Sequence, residues 1–139
     1  MRLVPLLFLG GLSLWAKSHP SVHLAYTRFY DYDEVTTILR DFEKRYPRYI
    51  RLESAGRSVQ NREMWILTLH NPGTGPEKDK AAMYIDADIH GNEVQGTEAV
   101  LYTIDYLMTN YGKLEKITRL VDERVFYFVP MVNPDGRAH

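Results

Sequence analysis

The sequence contains no cysteine. That absence excludes disulfides, a catalytic thiol and any thiolate metal site, so a bound metal must be held by His, Asp or Glu. An excess of either charge is missing too. Seventeen Lys and Arg against eighteen Asp and Glu leave a net charge of -1, so composition makes no case for nucleic-acid binding. There is no internal repeat and no low-complexity tract. The longest apolar run, Leu3 to Leu14, is too short for a comfortable transmembrane helix. What remains is 139 residues, 45% hydrophobic and 25% charged, the size and make-up of a single globular domain.

The start reads as a leader. Met1-Arg2 carries a charge, the apolar run follows, and Ala16 precedes the polar Lys17-Ser18-His19-Pro20. Charge, apolar stretch and small residue together describe a signal peptide over residues 1–16, although Leu14 is larger than the residue usual two places before cleavage. Pro5 and Gly10-Gly11 suit a buried core helix poorly. The expected mature part is therefore residues 17–139, secreted or periplasmic, with no membrane association after the leader is removed. Oligomeric state is not legible.

Beyond the leader, strands and helices alternate. Val35, Ile38, Leu39, Phe42 and Tyr46 form one apolar stripe, so Asp31 to Tyr46 is expected to be a helix. Asp31 and Glu34 stand in capping-box positions and Pro47 stops the run. Arg48 to Ser54 is expected to be extended, Gly56 to mark a turn, and Met64 to His70 to form a second strand. Asn71 to Pro76 reads as a loop. Ala81 to Asp86 is short and apolar enough for a buried sheet position. Thr97 to Tyr111 and Leu114 to Val121 are expected helices, with Gly112 between them. Arg124 to Val132 is a fourth strand, closed by the turn Asn133-Pro134-Asp135-Gly136. The alternation predicts an α/β fold: a partial mixed, mostly parallel sheet with helices on both faces. Ala81 to Val132 has the size of one strand–helix–strand crossover. Ligands in such sheets sit at the carboxyl ends of strands, where Asp88 to Glu93 and Asn133 to Gly136 fall.

The chemistry concentrates in Asp86-Ala87-Asp88-Ile89-His90-Gly91-Asn92-Glu93. An imidazole and a carboxylate three positions apart can converge on one ion, and zinc accepts both. Gly91 between them, lacking a Cβ, permits a sharp bend. Glu93 is expected at the start of the helix, where free N–H groups favour a carboxylate. Spacing alone leaves open a solvated histidine and a helix-start glutamate.

His90-Gly91-Asn92-Glu93-Val94-Gln95-Gly96 resembles the zinc signature of the metallocarboxypeptidases. Val129 to Gly136 resembles that family's second signature. Gly56 to Ile66 resembles its early strand–turn–strand segment, with Asn61 in place of the usual turn glycine. The three segments occur in family order, and the resemblance runs from Tyr26 to the end. It implies the N-terminal part of a zinc carboxypeptidase catalytic domain, with His90 and Glu93 as the first two protein ligands of one zinc ion. The substrate it implies is the C-terminal peptide bond of peptides and proteins. The family's third ligand, general-base glutamate, oxyanion arginine and carboxylate-gripping Asn-Arg pair match no residue here. The chain as given is accordingly expected to be an incomplete and inactive part. Asn92 stands where pancreatic-type members carry arginine, which places the chain nearer the branch with asparagine.

Other residues receive plainer expectations. His139 lies too near the Asn133–Gly136 turn to match the third ligand. Arg137 matches no catalytic position and reads as a surface arginine. His19, His23 and His70 lack partners at ligand spacing and read as exposed or packing. Asp86 and Asp88 either orient His90 or face water. Asp135 is expected to bond the backbone of its own turn. Two alternatives stand beside the carboxypeptidase: a zinc-dependent N-acyl amino acid deacylase of the aspartoacylase and succinylglutamate desuccinylase type, and a non-catalytic binding or structural protein.

Overall fold

The computed structural model describes residues 24, 25 and 27–138. Residues 1–16, expected to be a leader, and His19, His23 and the terminal His139 lie outside these. Helix α1 (Tyr32–Arg45) begins as its sequence dictates: the Asp31 carboxylate accepts from the Glu34 amide at 2.8 Å and Glu34 accepts from the Asp31 amide at 3.1 Å. This reciprocal cap satisfies two otherwise unpaired helix-start donors. The stripe Val35, Ile38, Leu39 and Phe42 is buried, Leu39 and Phe42 completely, each side chain contributing about 1.5–3 kcal/mol.

Strands β1 (Ile50–Arg57) and β2 (Glu63–Leu69) form an antiparallel hairpin. Gly56, expected to mark the turn, lies inside β1 instead. It adopts φ +130°, and pairing with β2 slips between Ser54 and Arg57. It makes a bulge, a conformation a residue with a Cβ resists. The turn falls at 58–61 and closes with the Asn61 amide donating to the Ser58 carbonyl at 2.9 Å. Asn61 sits there at φ +65°. Asparagine tolerates this left-handed region better than most residues, so it can stand where the family uses glycine.

Two 3-10 turns, Pro72–Thr74 and Glu77–Asp79, lead to β3 (Ala81–Asp86). Helices α2 (Gln95–Asn110) and α3 (Glu115–Glu123) then carry the chain to β4 (Arg124–Val129). The short α4 (Pro134–Arg137) ends the described chain. The sheet order is β1-β2-β4-β3, with β3 parallel to β4 and β4 antiparallel to β2. The crossover expected over 81–132 is therefore present.

The mixed α/β sheet is as expected, but three finer features differ among the described residues. Of three strand pairings, two are antiparallel and one parallel, so this part of the sheet is not mostly parallel. The register puts Ile50, Leu67, Leu69, Phe126 and Phe128 on one face. There they share one core with the apolar residues of α1, α2 and α3. The three longer helices thus cover a single face. The other face carries the row Arg51, Thr68, Tyr127 and Tyr84, and Glu77 closes over part of it, accepting from the Tyr127 hydroxyl at 2.7 Å and pairing with Arg51 at 3.0 Å. Finally, β3 is an edge strand rather than an interior one. Its Met83 and Tyr84 are 53% and 60% exposed, because β4 inserts between it and the hairpin.

Candidate metal site

β3 and β4 run parallel, so the segments following them emerge side by side. Their backbones stay bonded past the strands: the Val132 amide donates to the Ala87 carbonyl at 2.9 Å and the Asn133 amide to the Asp88 carbonyl at 3.0 Å. The buried Thr97 hydroxyl, in the first turn of α2, donates to the Pro130 carbonyl at 2.8 Å. Three elements are thus tied at the carboxyl ends of the strands, where α/β sheets place their ligands.

His90 and Glu93 lie here with their heads together. Nδ1 of His90 is 3.1 Å from Oε2 of Glu93, and the side chains are 73% and 67% exposed. They border an open hollow of about 500 Å³, shared with Asp86, Ala87, Asp88 and Ile89. Two donors bound to zinc at about 2.0–2.2 Å in tetrahedral geometry stand roughly 3.3–3.6 Å apart. The observed separation is close to that, so the pair fits a shared zinc ion. Size does not single out this hollow, since a cleft of about 480 Å³ opens beside Arg48, Arg51 and His70. Donor chemistry does. Among the described residues no three His, Cys, Asp or Glu come together as a metal site; catalytic zinc usually takes three protein ligands, and this pair offers two candidate donors.

Several expectations change here. Glu93 is not in the helix. α2 starts at Gln95, and the Glu93 amide instead closes a turn onto the His90 carbonyl at 2.8 Å. The role of Gly91 is close approach, because a Cβ on it would overlap the backbone of Gly136. Asp135 does not bond its own turn. Asn133 does so, its side chain accepting from the Gly136 amide at 2.9 Å. Asp135 reaches the hairpin turn, where Ser58 Oγ and Arg62 Nη1 donate to Oδ1 at 2.7 and 2.8 Å and the Gln60 amide donates to Oδ2 at 2.9 Å. Burial pushes this carboxyl up, but those three donors outweigh it and hold it below its ordinary value.

Arg137 is not a surface residue. Its side chain is 4% exposed; Nε and Nη2 donate to the Tyr30 carbonyl at 3.2 and 2.5 Å, and Nη2 to Glu98 at 3.1 Å. Glu98 also accepts from the Tyr30 amide at 3.0 Å. Asp86 is exposed, whereas Asp88 is buried at φ +58° with neither carboxylate oxygen hydrogen-bonded. Burial, with a smaller contribution from Glu93, pushes Asp88 up to about 6 against the opposing charge of Arg137. Asp88 borders the hollow, but both its carboxylate oxygens are buried. His70 is a packing histidine, 8% exposed. The partners of Asp135 and the anchoring of Arg137 escaped sequence reasoning. The only available signal was that the Gly56–Ile66 and Val129–Gly136 segments occur together.

Fold and donor pair define a class: an α/β protein with a candidate metal loop at the mouth of a parallel crossover. The chain belongs to the zinc carboxypeptidase family, whose model matches residues 35–139. It is 34% identical over 128 residues to carboxypeptidase D of Homo sapiens, an alignment covering 92% of this chain and 9% of that protein. Among solved structures it resembles thrombin activatable fibrinolysis inhibitor, with TM-score 0.73 and 26% identity over 80% of this chain and 27% of that one. Carboxypeptidase A from Helicoverpa armigera superposes with TM-score 0.75 at 21% identity, over 89% and 29% of the two chains, a likeness of fold. The chain therefore spans under a third of each of these proteins.

Proposed function

We propose that these residues are the front part of the catalytic domain of a zinc-dependent carboxypeptidase. In this reading His90 and Glu93 hold one zinc ion, and the protein removes residues from the C-termini of peptides and proteins. The observation that carries the reading is the 3.1 Å approach of His90 Nδ1 to Glu93 Oε2 at the carboxyl end of β3. Family membership supports the chemistry.

When bound, zinc supplies Lewis acidity towards a peptide carbonyl and towards water. The chain's own contribution is to present two ready donors. His90 Nδ1 and Glu93 Oε2 are held 3.1 Å apart, and with zinc bound in place of that contact His90 would offer its Nδ1 lone pair to the ion. Glu93 offers a carboxylate in a turn closed by its own amide. The exposed hollow leaves room for a substrate carbonyl. A third ligand, a general base and an arginine for the substrate's free carboxylate belong, in this reading, to further sequence of a longer protein. The 139 residues alone are then inactive. Residues 1–16 act as an export leader, giving a secreted or periplasmic product. Similarity to proteins named carboxypeptidases supports a peptide substrate rather than an N-acyl amino acid.

The test is zinc titration of the stripped full-length gene product, followed by release of C-terminal residues from a peptide panel set against N-acyl amino acids. One zinc per chain, lost in His90→Ala and Glu93→Gln together with peptide cleavage, is expected. Unchanged zinc binding in both variants sinks the reading, and zinc-independent peptide binding without cleavage favours a non-catalytic protein.

A further inference from the structure

We propose that Asp135 is a positioning residue for the metal pair: its grip on the hairpin turn holds α4 so that the Gly136 backbone braces Gly91 between His90 and Glu93. This rests on the reading that His90 and Glu93 bind zinc.

The side chains of His90 and Glu93 bond only each other among the described residues. Their shared span therefore needs support from outside, and Gly136 is the neighbour pressed against its centre. Gly136 belongs to α4, a helix of four residues whose one buried apolar residue is Pro134. So short a helix has almost no apolar face to anchor it. Polar ties anchor it instead. Arg137 binds the Tyr30 carbonyl and Glu98 on one side. On the other, the Asp135 carboxylate collects Ser58 Oγ, the Gln60 amide and Arg62 Nη1 from a turn more than seventy residues earlier in the chain. Ser58 Oγ also accepts from the Arg62 amide at 3.0 Å, so turn and carboxylate form one network. Charge-assisted bonds of this kind are stronger and more directional than neutral ones. The chain of contact is continuous: hairpin turn, Asp135, Gly136, Gly91, metal pair. Outer contacts that orient ligands commonly govern metal affinity.

The experiment compares variants of the stripped full-length protein by zinc competition against a chelator and by the visible spectrum of the cobalt(II)-loaded form. Asp135→Ala is expected to weaken zinc binding about tenfold and to alter the cobalt spectrum. Asp135→Asn, which keeps an acceptor for Ser58 but not one for the Gln60 amide, is expected to fall between it and wild type and covers the case in which the alanine variant does not fold. Val121→Ala, a core cavity remote from the site, is expected to lower the melting temperature while leaving affinity and spectrum unchanged. If the Asp135 variants behave like Val121→Ala, Asp135 merely stabilises the hairpin and the inference is overturned. If His90→Ala binds zinc normally, the metal reading itself falls. Loss of zinc in His90→Ala with unchanged binding in Asp135→Ala overturns only the inference.

Discussion

The segment after β3 and the segment after β4 lie side by side and are held in opposite ways. The first carries His90 and Glu93, the candidate metal donors, with their side chains exposed, and bonds mainly within itself and through its backbone. The second offers no donor to the hollow, yet Asn133, Asp135 and Arg137 tie it to its own turn, to the hairpin, and to Tyr30 and Glu98. In the proposed reading one presents and the other braces. A ligand loop with few side-chain ties keeps its donors open to an ion, provided a rigid neighbour limits where it can go.

The contrast can be broken or sharpened by substitution. The largest effect is expected from Arg137→Ala, which removes the ion-pair partner of the part-buried Glu98 and the positive charge that opposes the buried Asp88. Breaking a buried charge network of this kind costs about 3 kcal/mol, to be read from denaturant unfolding. A loss within experimental error would mean that the brace does not depend on Arg137. Next comes Gly91→Ala, whose new methyl must displace Gly136. Zinc binding is expected to weaken by about 100-fold with a much smaller change in melting temperature, and calorimetric titration decides. Equal damage to both would erase the division of labour. Asp31→Ala should cost about 1 kcal/mol by removing the cap of α1 and leave zinc affinity untouched, since α1 lies away from the hollow. A change in affinity would show that the two regions are coupled.

The smallest effect concerns pH. Burial, aided by Lys80 and Arg51 and opposed by Glu77, holds His70 below its ordinary value. A depressed folded-state pKa means that the unfolded chain takes up protons first. The stability His70 contributes is therefore full above about pH 6.5 and declines as pH falls from there towards the folded-state value. The melting temperature of His70→Phe should decline less than that of wild type between about pH 7 and about pH 5. Identical slopes would remove His70 from the account.

Much of this architecture was legible beforehand, for reasons that can be named. The capping box of Asp31 and Glu34 and the stripe from Val35 to Phe42 are local patterns, and α1 obeys them. The crossover from Ala81 was legible because its strands and helices differ in period. The approach of His90 to Glu93 was legible because three residues and a turn suffice to produce it. Misreadings arose where a partner was distant. Arg137 follows a turn signal and looks solvated, until Tyr30 and Glu98 are found around it. Asp135 looks like a turn residue because Asn133, two places earlier, already does that work.

Short-range patterning determined the elements themselves, the donor pair and the family to which the chain belongs, since each depends on residues within a turn or two of one another. Tertiary structure alone decided that β3 lies at an edge of the sheet formed by the described residues, that their longer helices gather on one face, that the Asp88 and Arg137 side chains are buried, and that Gly91 must be glycine. The physical reason is that strand order and backbone-to-backbone approach are settled by pairings across tens of residues, and no local period encodes them.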